Sequence, residues 1–439
     1  MQGQSCLKEF VRYSLLNVLG MIGLSCYILA DTFFVSRGLG ANGLAALNLA
    51  IPVYSFVHGI GLMLGMGGAT KFSIFKSQKR QQESDAVFTC ILLVSLFSGG
   101  LVAVGVLFSE FLTSLLGADA QVFEMANTYL KVILLFSPAF ILNDILICFV
   151  RNDGNPRLSM LAMLGGSLSN VLLDYIFIFP LGMGIFGAVL ATGLASLISM
   201  LILLPHQLKK KNGFHISKKK TDFSLLPSAL SLGFPSLITE LSAGIVIIVF
   251  NKIILGLQGN AGVAAYGVIA NLSLVVTAIF TGIAQGIQPL VSSAYGHGDR
   301  KKAVLTLRYA MTSVAACACA VYLGVFFFAD PITGIFNSAS DPLLQDIAPA
   351  GLRLYFTSAL FVGFNITLSA FFTSTERAVP AHILSLLRGL FLIVPMAFTL
   401  SALAGITGVW LAFPVTEGLT ALLGAFLLFR RPPEIIHKF

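Results

Sequence analysis

The chain has 439 residues, of which 56% are hydrophobic and only 10% charged, and it carries a formal net charge of +8. That is too long and far too apolar for a soluble domain, which excludes soluble enzymes and nucleic-acid-binding modules. Windows of about 20 apolar residues, each enough to cross a roughly 30 Å hydrocarbon core, recur from end to end.

The first window, about 10–35, is too long for a signal-peptide core and has no small-residue cleavage site before the next, so it reads as a retained helix. Further spans follow near 44–70, 86–108, 127–149, 159–180, 184–205, 230–256, 261–289, 303–328, 347–372, 381–403 and 406–429, twelve in all. The fold class expected is therefore an all-α, multi-pass membrane protein. Cys6, Cys26, Cys90, Cys148, Cys317 and Cys319 show no metal-type spacing and read as small hydrophobes.

Lys and Arg set the orientation. The N-terminal arm, the loops after spans 2, 4, 6, 8 and 10, and the tail hold 21 of the 27 basic residues, whereas the opposite loops hold one, Arg37. By the positive-inside rule both termini are expected in the cytoplasm of a cell-membrane protein. The outer loops after spans 3 and 9 hold only acids: Glu110, Asp119 and Glu124, then Asp330, Asp341 and Asp346.

Those two loops lie about 220 residues apart, and other segments repeat at the same offset. GANGLAAL at 40–47 matches GNAGVAAY at 259–266, Asn143 matches Asn365, and GMGIFGAV at 182–189 matches LAGITGVW at 403–410. Two six-helix copies follow, an N-terminal lobe 1–205 and a C-terminal lobe 228–439. An even helix number gives both the same orientation, with a central cavity expected between them. The connecting segment 206–227, HQLKKKNGFHISKKKTDFSLLP, reads as a solvated, lysine-rich cytoplasmic linker and not as a nucleic-acid site.

Four stretches in order, YILADTFFVSRGLGANGLAALNLAIP (27–52), RNDGNPRLSMLAMLGGSLSNVLLDYIFIFPLGMGIFGAVLATGLA (151–195), GFPSLITE (233–240) and SAYGHGDRKKAV (293–304), resemble multidrug and toxic-compound extrusion (MATE) transporters of the bacterial and archaeal type. The resemblance covers nearly the whole chain. It implies a two-lobed transporter that exports cationic, amphipathic compounds against inward-moving H⁺ or Na⁺, with small-molecule organic cations as partners in a lipid bilayer. A lipid-linked precursor flippase of the same superfamily is the alternative. It would want a strongly basic cavity, and this chain has few basic residues at depth. An intramembrane enzyme would need a nucleophile–base or metal set, and none is evident. No Walker motif is present, so ATP is not expected to drive the protein, and neither a cofactor nor an obligate oligomer is expected.

Five carboxyls fall within spans: Asp31, Asp144, Asp174, Glu240 and Glu417. An ionisable group at membrane depth costs at least about 2.5 kcal/mol on insertion scales, so each needs a partner or a function. Asn170 and Asp174 are i and i+4 on span 5, and Tyr27 and Asp31 have the same spacing on span 1. Two facing carboxyls among amide and hydroxyl oxygens make either a proton acceptor or an oxygen cage for Na⁺ at Asp31, Asn170 and Asp174; the other reading is that they only bond helices together. The resemblance places a cation-coupling site at Tyr27, Asp31, Asn170, Asp174 and Thr192.

Asn143 and Asp144 are expected to join this network or to cap a helix break. Glu240 matches a carboxylate that some family members use for Na⁺, but its partner position is Phe361 here. Glu417 either meets a cationic substrate or pairs with Arg388 or a hydroxyl, and Asn365 is grouped with it as a substrate or network residue. His58 and His382 read as helix–helix hydrogen-bonding groups, with a proton relay as the alternative. A family proline on span 1 is replaced by Leu16, with Gly20 and Gly23 nearby. The close glycines of GIGLMLGMGGA (59–69) read as helix packing, not phosphate binding.

Overall fold

The structure, a computed structural model, describes residues 2–208, 212–217, 222–337 and 342–430, and among these it is helical almost throughout. Twelve α-helices follow in chain order: α1 (Gln2–Ser77), α2 (Gln81–Val104), α3 (Ser109–Leu115), α4 (Phe123–Asn152), α5 (Pro156–Ile178), α6 (Gly184–Leu208), α7 (Leu226–Gly296), α8 (Arg300–Phe336), α9 (Pro342–Tyr355), α10 (Ala359–Ser374), α11 (Ala378–Leu386) and α12 (Ile393–Arg430). These helices are not the twelve spans one for one. Nine helical stretches among the described residues are long and apolar enough to cross a membrane. Three of them are double, because α1, α7 and α12 each turn at a left-handed glycine: Gly40 (φ 67°), Gly259 (φ 61°) and Gly405 (φ 56°). Dividing them there gives the twelve spans read from the sequence.

The backbone carries the internal repeat in its own right. Gly40 and Gly259, 219 residues apart, share φ/ψ of 67°/−158° and 61°/−153°. That region is open essentially to glycine alone, so the repeat retains glycine where the geometry needs it. Three further pairs of left-handed residues recur at nearly the same offset: Lys79 with Gly298, Gly154 with Glu376, and Gly184 with Gly405.

Two compact units emerge from the packing. The N-terminal unit comprises residues 19–241 and 292–297, and the C-terminal unit residues 1–18, 242–291 and 298–439. They follow the sequence halves except in three segments: the start of α1 groups with the C-terminal unit, while the start and end of α7 group with the N-terminal unit. Within the N-terminal unit, α1 and α7 cross so closely that a Cβ on Gly67 would overlap Ala229 O and one on Gly233 would overlap Met63 O. Within the C-terminal unit a Cβ on Gly286 would fall 2.7 Å from Ser14 Cα, and one on Gly282 2.6 Å from Val18 Cα. The small residues are what let the backbones touch.

Two sequence expectations change in detail, for span 11 and for the linker. Span 11, read as continuous over 381–403, is interrupted by a π-helical turn at Leu387–Phe391 that carries Arg388. Around Leu16 α1 runs without a break; Gly20 and Gly23 instead receive α5, whose Met163 and Leu164 lie where their Cβ atoms would be. The linker is not simply solvated: Phe214 is fully buried among Phe72, Phe88 and Phe149, with ring centroids 4.6–5.8 Å away. Its backbone is tied down by Gln81 Nε2 donating to Gly213 O (2.8 Å), His215 N to Asp85 Oδ1 (2.9 Å) and Ser217 N to Thr89 Oγ1 (2.7 Å). The six lysines of the linker lie outside the described residues.

Asp153, just past α4, anchors this segment. It accepts from Lys76 Nζ, His206 Nε2 (2.7 Å) and Gly213 N (2.6 Å). Burial pushes its carboxyl up, but the His206, Lys76 and Gly213 hydrogen bonds outweigh that and hold it below the usual carboxylate range.

Candidate functional site

The polar side chains of the N-terminal unit converge from α1, α4, α5 and α6. Helical spacing puts Asn170 and Asp174 on one face of α5, and both are essentially inaccessible, at 1% and 0% exposure. Asp31, one turn after Tyr27 on the first half of α1, faces Asp174 within hydrogen-bond reach. Thr192 of α6 closes the group. In one amide orientation Asn170 Nδ2 donates to Thr192 Oγ1 at 3.2 Å. In the other it donates to Asp174 Oδ2 at 3.0 Å while its oxygen accepts from Thr192, and only this orientation satisfies both ends.

One oxygen of each carboxyl, Asp31 Oδ1 and Asp174 Oδ1, is buried with no hydrogen-bond partner among the described residues. Two carboxyls in such contact need a proton between them or a cation against them, because two like charges at that distance in a poorly solvated site repel strongly. Among the described residues no cluster of three or more His, Cys, Asp or Glu side chains has metal-holding geometry. A small cation at this site would therefore lean on Asn170 and hydroxyl oxygens as well as on the two carboxylates.

Four of the five residues expected together, Asp31, Asn170, Asp174 and Thr192, meet here. Tyr27 sits a turn away, its hydroxyl 3.1 Å from that of Tyr54. Two participants escaped the sequence reading. Tyr129 of α4 hydrogen-bonds Thr192 and faces both aspartates. Tyr54, on the second half of α1, joins Tyr27 and stacks on His58 at 5.9 Å with ring planes 6° apart. The i, i+4 spacing of Tyr54 and His58 was the only sequence signal for that stack.

Asp144 does not cap a helix break, since α4 runs unbroken through it. It faces the second half of α1, where its Oδ2 lies 2.8 Å from His58 Nδ1. Gly61 and Gly65 make room there: a Cβ on Gly61 would sit 2.5 Å from Asp144 Oδ2. Neighbouring Asn143 keeps a buried Oδ1 without a partner among the described residues. Glu240 lies on the segment of α7 that belongs to the N-terminal unit, packed against Gly59 and within electrostatic range of His58 and Asp144.

Glu417 and Asn365 sit in the C-terminal unit. Glu417 Oε1 accepts from Arg388 Nε (3.0 Å) and Nη2 (2.9 Å), and Asn365 Nδ2 donates to Oε2 at 2.6 Å. Of the two sequence readings for Glu417, the pairing with Arg388 is the one found. A carboxylate paired with Arg388 on one oxygen and accepting from Asn365 on the other offers little to a cationic substrate.

Comparison with known proteins agrees with the geometry. The sequence profile of the MatE family matches residues 18–176 and 235–399. The chain belongs to the MATE family of transporters. It is 25% identical over 428 residues to the multidrug export protein MepA of Staphylococcus saprophyticus, covering 97% of this chain and 94% of that one. It is 26% identical to MepA of Staphylococcus aureus, with 96% and 93% covered. Among solved structures, a MOP superfamily transporter from Pyrococcus furiosus superposes with a TM-score of 0.89 at 26% identity, covering 96% of this MATE chain and 94% of the other. A MATE protein in its straight conformation reaches 0.90 at 25% identity, with 96% and 94% covered.

Proposed function

We propose that this MATE transporter is a multidrug exporter that moves cationic or amphipathic organic compounds out of the cell in exchange for inward-moving H⁺ or Na⁺. The observation that carries the reading is the Asp31–Asp174 pair: two carboxyls from separate helices, buried in a membrane-spanning unit, each with an oxygen left unpartnered. The MepA relatives, named as multidrug export proteins, support the substrate class.

The cycle follows from charge. The empty pair is negative and attracts either a proton or a small cation, and Asn170, itself held by Thr192, steadies Asp174 while the pair changes state. Ion uptake cancels the negative charge and weakens the hold on a cationic compound. By linkage the compound weakens ion binding by the same factor, which makes the exchange reciprocal. Alternating access then exposes the site to each side in turn. The proposed orientation has both termini in the cytoplasm.

Proteoliposomes loaded with a fluorescent organic cation test this reading. Transport is expected under an imposed H⁺ or Na⁺ gradient and not under ATP alone, and comparing a pure pH gradient with a pure Na⁺ gradient names the ion. Transport indifferent to both gradients contradicts the proposal.

A further inference from the structure

We infer that His58 and Asp144 form a second proton-binding site of this transporter, separate from Asp31 and Asp174 and exchanging its proton against the organic cation. The contact is close: His58 Nδ1 lies 2.8 Å from Asp144 Oδ2, with the side chains 18% and 8% exposed. The imidazole is thus buried enough to feel its neighbours strongly without being fully enclosed.

Charge balance drives the argument. Two carboxyls, Asp144 from α4 and Glu240 from α7, lie within electrostatic range of a single imidazole. With His58 charged and both acids ionised the group is one negative charge in excess; with His58 neutral it is two. Excess charge at membrane depth is costly, so the cluster binds protons or takes in a cation. Histidine is the side chain whose charge changes near neutral pH without a large shift. The groups facing the cluster add no compensating positive charge at the pair itself. Tyr54 stacks on the ring from the same half of α1, and Tyr27 comes from the other half, within reach of Asp144. On α4, Arg151 lies one turn beyond Cys148, bonding its sulfur (3.6 Å) and that of Met66 (3.2 Å).

Position makes this a distinct site. Asp174 is four residues from the end of α5 and Asp31 nine before the Gly40 turn, whereas His58 is eighteen residues past that turn. At about 1.5 Å per residue the aspartate pair lies roughly 6–14 Å from its helix ends and His58 roughly 27 Å from the Gly40 turn, deeper in the same unit. The Tyr27–Tyr54 hydroxyl contact lies between them. An organic cation settling near the cluster supplies the missing positive charge and lowers the demand for a proton, and the proton then leaves to water. No bond other than the N–H or O–H of that proton changes.

Proton release on binding tetraphenylphosphonium, followed with a pH indicator in weakly buffered detergent solution, tests the inference. His58→Gln is expected to release about one proton fewer per bound cation than the wild type; with H⁺ as the coupling ion Asp174→Asn loses a different one, so that the losses add, and with Na⁺ it releases as the wild type does. Asp144→Asn, which keeps the side-chain size, serves as a second variant should His58→Gln fail to fold. Wild-type release in folded His58→Gln or folded Asp144→Asn overturns the proposal. So does an ¹⁵N-histidine spectrum of the wild type in which the His58 ring nitrogens keep one protonation state as the cation is added. With H⁺ as the coupling ion, a loss in the His58 variant with none in Asp174→Asn leaves this site standing and instead contradicts the coupling role given to Asp174.

Discussion

Asp174 and Glu417 are both carboxyls buried among helices, and their partners separate their roles. Arg388 and Asn365 occupy both oxygens of Glu417, whereas Asp174 keeps one oxygen with no partner. Glu417 is therefore expected to act in stability. Arg388→Met leaves an uncompensated buried carboxylate and should destabilise the protein by about 3–5 kcal/mol, most of which Arg388→Met combined with Glu417→Gln should recover. Thermal melting in detergent checks this, and an Arg388→Met protein melting like the wild type contradicts it. Glu240 is expected to matter less for coupling than Asp174, because it packs against Gly59 and is not one of the two facing carboxyls of the Asp31–Asp174 pair. Glu240→Gln should retain substantial ion-driven efflux, and complete loss in a normally inserted protein would move the coupling site to Glu240 and its neighbours. The i, i+4 pairs Tyr27/Asp31 and Asn170/Asp174 were legible because a helix writes its faces into the sequence at fixed spacing. Tyr129, Tyr54 and the His58–Asp144 contact were not, since nothing in one sequence says which face of one helix meets which face of another.

At the scale of elements, the left-handed glycines and the docked linker are the features most open to test. A Cβ at Gly40 would meet no atom within 4 Å, so the cost of Gly40→Ala is purely one of backbone conformation. About 1–3 kcal/mol is expected, read as a lowered melting temperature, and an unchanged value would show that the turn does not hold this geometry. Phe214→Ala removes a fully buried ring from the Phe72, Phe88 and Phe149 cluster and should cost about 3–5 kcal/mol. It should also speed tryptic cleavage at the flanking lysines; a linker as resistant as in the wild type contradicts the docking. Asp153 adds a pH signature. Its carboxyl is held below the ordinary value, so its stabilisation is complete above the unfolded value near 4 and disappears as pH falls through the lower folded one. The melting difference between wild type and Asp153→Asn should thus be flat from about pH 8 to 5 and narrow below about 4. The docked linker was hidden from the sequence because six lysines dominate its composition, whereas one phenylalanine and four hydrogen bonds to its backbone decide its fate.

For the whole molecule, the 219-residue echo between Gly40 and Gly259 shows the repeat to be a property of the backbone as well as of residue identity. The twelve spans were readable because apolar length is a composition signal. The grouping of residues 1–18 and 226–241 was not, because it depends on which small residues let helices cross. Orientation rests on charge placement alone. A single cysteine at Lys301, in a background lacking the native six, should be labelled from the cytoplasmic side, and labelling from outside would reverse the proposed topology. The central claim is that the Asp31–Asp174 pair carries the coupling ion, and Asp174→Asn tests it most directly. The amide keeps the size and hydrogen-bonding capacity of the acid and removes its titratable charge. In proteoliposomes that variant should bind the organic cation and insert normally while losing gradient-driven efflux. Vigorous gradient-dependent efflux by Asp174→Asn, at rates near those of the wild type, would show that the aspartate only braces its helices and that the coupling group lies elsewhere.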